Sequence, residues 1–181
     1  LKRWLKMAQD EFGLYTIVRP GPFICAEYSG GGYPRWLAKF RPSSYKEFWL
    51  RSADEQHIRW CKHWFDAVCK ALADEQLTRK SVGEKGIILI QIENEYNHHG
   101  CYGKEKLLKA LYKSVRDSGW DVPIFTCLTN ECRSSKDEEL SQVFDSDNYY
   151  VGLSSAPDCA YRMAELKKEQ PDAPGFVTEL Q

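Results

Sequence analysis

The stretch Ile87-Ile88-Leu89-Ile90-Gln91-Ile92-Glu93-Asn94-Glu95-Tyr96 decides the fold class. Its first six positions form a nearly continuous apolar run, the pattern of a parallel strand covered on both faces rather than of a half-exposed one that alternates. Gly86 punctuates the chain before the run, and three polar or acidic side chains follow it at once. Charge placed at the end of a buried strand is costly without a partner or a role. The bland account is that Glu93 and Glu95 pair with Arg or Lys or reach solvent; the sharper one is chemistry. On a continuing strand the two carboxylates would share a side, so periodicity leaves their separate roles open.

Working outward, strand patterns alternate with helical ones. Leu1, Trp4, Leu5, Ala8 and Phe12 recur at helical spacing, and Gly13 stands where a left-handed cap would end that helix. Leu14 to Val18 reads as a short buried strand. From Asp54, the apolar positions Ile58, Cys61, Phe65, Val68 and Leu72 step by 3, 4, 3 and 4, which makes an amphipathic helix. Beyond the central strand, Leu107, Leu108, Leu111, Tyr112 and Val115 lie on a helix capped near Gly119, and residues 123 to 127 form the next strand. Val143 to Asp147 reads as a strand, residues 157 to 169 as a helix, and Gly175 to Thr178 as a strand that ends before Glu179. Alternation of this kind predicts a parallel α/β sheet, either open or closed into a barrel. No repeat, low-complexity tract or linker divides the chain, so residues 1–181 read as one domain. Residues 19 to 53 make one long irregular stretch with Gly30-Gly31-Gly32, and loops of that length in compact domains usually serve function.

Composition narrows the partners. The 181 residues carry 25 basic and 26 acidic side chains for a net charge of −1, with no basic block to meet nucleic acid or a membrane surface. No apolar run reaches transmembrane length. Aromatic residues make up 13%, including six Trp and ten Tyr, which suits stacking on sugar rings and filling a core equally well. The chain opens without Met inside a helical pattern, so its ends are expected to lie within a longer protein. The seven cysteines are odd in number and show no metal spacing. Cys61 and Cys69 sit roughly 12 Å apart along one helix, too far for a disulfide. Cys127 and Cys132 are close enough in sequence to bridge, with free buried thiols the preferred reading.

Active sites of parallel α/β folds lie at the carboxyl edge of the sheet. That edge offers Arg19 and Glu27 after the first strand, Glu93, Asn94 and Glu95 after the second, and Glu179 after the last. Glycoside hydrolysis needs two carboxyl groups flanking one bond, one to protonate the leaving oxygen and one to attack carbon or activate water. Carboxylates from different strands of one edge can meet that demand. Other signals are weaker. Gly30-Gly31-Gly32 is better read as a turn than as a phosphate cradle, since no helix with a following Lys-Ser/Thr opens behind it. His98, His99 and Cys101 fall short of a zinc ligand set and read as a polar loop. Arg19 either keeps a neighbouring carboxylate ionised or serves as a structural ion pair.

Three segments carry a resemblance: Arg19-Pro20-Gly21-Pro22-Phe23-Ile24-Cys25-Ala26-Glu27, Gly31-Gly32-Tyr33-Pro34-Arg35-Trp36-Leu37 and Gln91-Ile92-Glu93-Asn94-Glu95-Tyr96. Together they resemble glycoside hydrolase family 35, the β-galactosidases built on a (β/α)8 TIM barrel. The likeness spans the chain, roughly from that barrel's second helix to its seventh strand, and implies an incomplete barrel that is inactive by itself. It further implies that Glu95 is the acid/base and Glu179 the nucleophile of a retaining reaction on terminal β-galactosides of oligosaccharides or glycans. By the same resemblance Asn94, Ala26 and Glu27 hold the sugar, Glu93 is a structural neighbour, and no metal or organic cofactor is needed. Tyr28 and Asn97 depart from the commoner family pattern, which bears on linkage and aglycone preference rather than on the reaction. The alternatives are a barrel glycosidase for another β-glycoside, disfavoured by Glu27 and its Gly-rich loop, and a non-catalytic carbohydrate-binding relative, disfavoured by the presence of both carboxylates.

Overall fold

The computed structural model describes residues 1–40, 50–96, 104–127, 137–150 and 156–180. Five parallel strands form one sheet in the order β1-β2-β3-β4-β5: β1 Thr16–Val18, β2 Ile87–Gln91, β3 Ile124–Cys127, β4 Val143–Tyr149 and β5 Val177–Leu180. Chain order equals spatial order throughout. A doubly wound open sheet reverses its order at a switch point, whereas a barrel adds each strand beside the last. The architecture is therefore α/β and consistent with part of a TIM barrel.

Among the described residues four α-helices accompany the sheet: α1 Lys2–Lys6, α2 Glu55–Leu72, α3 Lys104–Asp117 and α4 Ala156–Glu169. The first helical pattern is realised as α1 followed by a π-helical turn over Met7–Glu11, and Gly13 beyond it adopts φ +65° as a left-handed cap requires. Helix α2 begins where the carboxylate of Asp54 accepts the backbone N–H groups of Gln56 and His57, two donors otherwise left without partners at a helix start. Its expected stripe is buried except for Ile58, which is half-buried against the core: Cys61, Phe65, Val68 and Leu72 pack with Leu107, Leu108, Leu111 and Val115 of α3 and with Ile87, Ile90 and Ile124 of the sheet. Each large side chain fully removed from water there contributes about 1.5–3 kcal/mol.

The connections are tied by polar groups that the burial would otherwise orphan. Gln76, fully buried, accepts the N–H of Asp121 at 2.7 Å and donates to the carbonyl of Ala73 at 2.9 Å, linking the turn before β2 to the turn before β3. Gly86 is required beside it, because a Cβ there would meet the Leu77 backbone at 2.6 Å. Trp120 donates its indole N–H to the Cys69 carbonyl at 2.9 Å. On the alternate residues of the sheet, Phe125, Phe144 and Phe176 form an aromatic cluster with centroids 5.3 to 6.1 Å apart.

Several expectations need adjustment. β1 starts two residues later than the apolar pattern suggested, and Leu14 and Tyr15 are exposed. Ile88 and Leu89 are only half-buried, so the second covering layer implied by the run at 87–92 is incomplete among the described residues. β4 is the longest strand, extending to Tyr149 rather than ending at Asp147. β5 includes Glu179 instead of stopping before it, since Asn148 of β4 pairs in register with Glu179 and holds that residue in the ladder. Between β3 and β4 the described residues contain a 3₁₀ turn at Glu138–Leu140 and no α-helix. Asn97, His98, His99, Cys101 and Cys132 lie outside the described residues. Cys25, Cys61, Cys69, Cys127 and Cys159 are free thiols, and burial pushes Cys69 up to about 12 and Cys127 up to about 11, which leaves both inert near neutrality. No described helix is long and apolar enough to cross a membrane.

Candidate active site

Because all five strands run the same way, their carboxyl ends deliver side chains to one edge. Arg19 comes from just beyond β1, Gln91 to Glu95 from the end of β2, Asn148 and Tyr150 from the end of β4, and Thr178 and Glu179 from β5. There the structure brings Glu95 and Glu179 together. Tyr150 Oη donates to Glu179 Oε2 at 2.6 Å and lies 3.1 Å from Glu95 Oε1. The two carboxylate oxygens sharing that hydroxyl are therefore under about 6 Å apart, within the scale on which paired glycosidase carboxyls operate.

Each carboxylate has its own surroundings. Glu179 is held on one oxygen by Tyr150 and on the other by the guanidinium of Arg19. Partial burial raises its pKa, but the hydrogen bonds from Tyr150 and Arg19 and the Arg19 charge outweigh that and hold the carboxyl below its ordinary range. Arg19 thus keeps a carboxylate ionised, the first of the two roles the sequence allowed. Glu95 accepts from Asn148 Nδ2 at 2.9 Å, and the Asn148 amide is oriented in turn by Thr178 Oγ1 donating to its Oδ1 at 2.7 Å. Burial, followed by the two carboxylates, raises the Tyr150 hydroxyl well above its ordinary value, so it remains a donor.

Glu93 and Glu95 diverge because the strand ends at Gln91 and both residues turn into the left-handed region, at φ +60° and +43°. The period-two rule lapses there. Glu93 turns inward, 1% exposed, and pairs with Arg51 at 2.7 Å; burial raises its carboxyl while the Arg51 guanidinium opposes that rise. Glu95 turns to the sheet edge. Asn94 between them is 2% exposed, its Oδ1 accepting from Arg19 at 2.8 Å and from Gln91 at 3.1 Å, while its Nδ2 has no partner among the described residues.

Ala26 and Glu27 are placed differently. Both are exposed, and with Cys25 they form three consecutive residues of φ between +50° and +55°. Among the described residues Glu27 makes no hydrogen bond or ion pair, so it does not join the Glu95–Glu179 network. The segment after it folds as the expected turn, with Gly30, Gly31 and Gly32 all at positive φ. Gly31 packs so closely that a Cβ would penetrate the Phe23 ring, while its carbonyl accepts the Ile24 N–H at 2.8 Å. Asn148, Tyr150, Thr178 and Arg51 were not singled out from sequence. The sheet-edge rule reaches the first three once β4 is extended to Tyr149 and Glu179 is placed inside β5; no local pattern marks Arg51. Among the described residues no three potential metal ligands come together.

A family model described as glycosyl hydrolases family 35 matches residues 1–181. A beta-galactosidase of Aspergillus niger is 28% identical over 96% of this chain, which spans 18% of that relative. A beta-galactosidase A of Penicillium sp is 32% identical over 96% of the chain and 18% of the relative. A probable beta-galactosidase A of Emericella nidulans is 35% identical over 84% of the chain and 14% of the relative. The chain spans less than a fifth of the length of the curated relatives it matches.

Proposed function

The chain belongs to glycosyl hydrolases family 35, and from that premise we propose that residues 1–181 are part of one catalytic (β/α)8 barrel, from its second helix to its seventh strand, that cleaves terminal β-galactosides with retention. The observation that carries the reading is the sharing of the Tyr150 hydroxyl by Glu95 and Glu179. Retaining enzymes hold their two carboxyls about 5–5.5 Å apart, whereas inverting ones leave about 6.5–9.5 Å for water. The upper bound of about 6 Å on the two nearest carboxylate oxygens supports the shorter spacing.

In this reading Glu179, kept ionised by Tyr150 and Arg19, attacks the anomeric carbon. As the bond to the leaving oxygen breaks, the Glu95 carboxyl gives that oxygen its proton. Glu95, now a carboxylate, then takes a proton from water whose oxygen attacks the same carbon, and the ester bond to Glu179 breaks to release galactose with its original configuration. Asn94 Nδ2, buried and without a partner among the described residues, is the donor for a sugar hydroxyl. Ala26 and Glu27 contact the sugar from the loop after β1. No metal or organic cofactor takes part.

The test uses the complete enzyme. Glu179→Ala should abolish turnover of every substrate. Glu95→Ala should harm poor leaving groups most, and added azide should restore turnover as β-galactosyl azide. Azide rescue of Glu93→Ala in place of Glu95→Ala would move the acid/base role to Glu93. A panel of aryl glycosides fixes the sugar.

A further inference from the structure

The segment bearing Glu95 is held in a backbone conformation that side chains other than glycine avoid. Glu93 and Glu95 both have positive φ, and Asn94 stands between them. Such a conformation persists only where the surroundings over-determine it. Three contacts from β2 and its neighbours contribute: Glu93 N–H donates to the Gly21 carbonyl at 2.9 Å, Gln91 Nε2 to the Glu93 carbonyl at 2.5 Å, and Tyr96 N–H to the Cys127 carbonyl at 3.3 Å. None of these reaches the carbonyl of Asn94 or of Glu95.

Arg51 does. Its Nη2 lies 2.7 Å from Glu93 Oε2, 2.6 Å from the Asn94 carbonyl and 3.0 Å from the Glu95 carbonyl. Arg51 is 3% exposed and stacks its guanidinium over the Phe23 ring at 3.9 Å. Its own backbone is at φ +61°, with its N–H donating to His57 Nε2 at 3.1 Å. The other ring nitrogen of His57 is 3.0 Å from the Ser52 carbonyl, so Nδ1 carries the proton and Nε2 accepts. Tyr33 Oη also lies 3.1 Å from Nε2, and the Asp54 cap fixes the turn on which His57 sits. A rigid path thus runs from the start of α2 through His57 and Arg51 to the residue proposed as the acid/base.

We propose that Arg51 is the positioning residue of Glu95: its guanidinium, neutralised by Glu93, grips the carbonyls of Asn94 and Glu95 and so aims the Glu95 carboxyl at the leaving-group oxygen. This rests on the reading of Glu95 as acid/base. A buried ion pair serving stability alone would need only the Glu93 contact, and such pairs are often replaceable by apolar side chains. The two carbonyl contacts give Arg51 a consequence for geometry. A displacement of the carboxyl by a fraction of an ångström costs proton transfer while leaving the nucleophile on β5 untouched.

The experiment compares Arg51→Lys and Arg51→Met with Glu95→Ala in the complete enzyme, on β-galactosides whose leaving groups run from dinitrophenol to methanol. Rates are normalised to sites titrated by covalent trapping on Glu179 with a 2-fluoro galactoside. Arg51→Met should lose at least about tenfold more on the methyl than on the dinitrophenyl galactoside, following Glu95→Ala in kind, because only the poor leaving group needs a well-aimed proton. Arg51→Lys, which keeps the charge on a single donor nitrogen, should show a smaller loss graded in the same order. If Arg51→Met yields no titratable sites, Arg51→Lys decides alone, a graded loss supporting the role and a flat one overturning it. A graded Glu95→Ala series beside flat Arg51 series overturns the role of Arg51 only, whereas a flat Glu95→Ala series overturns the acid/base reading beneath it.

Discussion

Tyr150 donates its phenolic hydrogen to Glu179 at 2.6 Å, and the same oxygen lies within reach of Glu95. One hydroxyl from the end of β4 thereby lowers the pKa of the carboxyl on β5 and spans the gap to the one after β2. Tyr150→Phe should reduce kcat/KM by about ten- to hundredfold, the worth of a hydrogen bond to a charged group. The pH profile gives the sign. Glu179 has a depressed pKa and must be ionised to attack, so loss of the donor should move the acid limb to higher pH. An unmoved acid limb would place Tyr150 outside the control of Glu179.

Arg19 makes a pH-dependent contribution to stability. A carboxyl whose folded pKa lies below its unfolded value stabilises the fold above the unfolded pKa and loses that contribution as pH falls through the folded one. For Glu179 the window opens at about 4.3 and extends downward. The melting-temperature gap between wild type and Arg19→Met should therefore narrow as pH is lowered from 7 to 3. A constant gap would assign the effect to the bonds from Arg19 to Gln91 and Asn94 instead, at 2.8 Å each.

Glu27 touches neither candidate carboxylate. Glu27→Ala should accordingly raise KM for galactosides by about tenfold or more, as loss of a recognition hydrogen bond does, while trapping of Glu179 still goes to completion. Steady-state kinetics with a fluoro galactoside titration separates the two effects. A collapse of trapping would bring Glu27 into the covalent step.

The core prediction concerns α2. Phe65 is completely buried between α2, α3 and the sheet, so Phe65→Ala should cost about 3–5 kcal/mol in denaturant unfolding. Lys70→Ala, on the exposed side of the same helix, should stay within about 0.5 kcal/mol. Comparable losses in both would mean that the buried stripe is not what holds the helix to the sheet.

Expressed by itself, the 181-residue chain should associate and turn over little or no aryl galactoside. β1 and β5 are the edges of the observed sheet, Ile17 of β1 is 41% exposed, and the β5 residues are half-exposed or exposed. Unpaired edges and uncovered apolar faces recruit other chains. Sedimentation and an activity assay beside the complete enzyme check this, and a soluble, monomeric, comparably active chain would contradict the partial-barrel proposal.

The sequence by itself determined the class of fold and about half of the residues that meet at the candidate site. The apolar run at 87–92, the stepped stripe from Ile58 to Leu72 and the alternation of elements specify parallel strands with helices packed on them, because periodicity records which faces must leave water. The position of Glu95 after a buried strand, and the segments around Arg19 and Asn94, were legible for the same reason together with the family likeness. What periodicity could not decide was where each side chain goes once regular structure stops. Glu93 and Glu95 separate only because both adopt positive φ, and that conformation is imposed by Arg51, Gly21 and Cys127, residues distant in sequence. Tyr150 and Asn148 became part of the site because parallel strands bring all their carboxyl ends to one edge, at distances no local pattern encodes. Tertiary structure alone decided which carboxyl is buried against a guanidinium and which shares a hydroxyl with Glu179, since hydrogen bonds and ion pairs depend on ångström-scale placement and sequence spacing does not supply it.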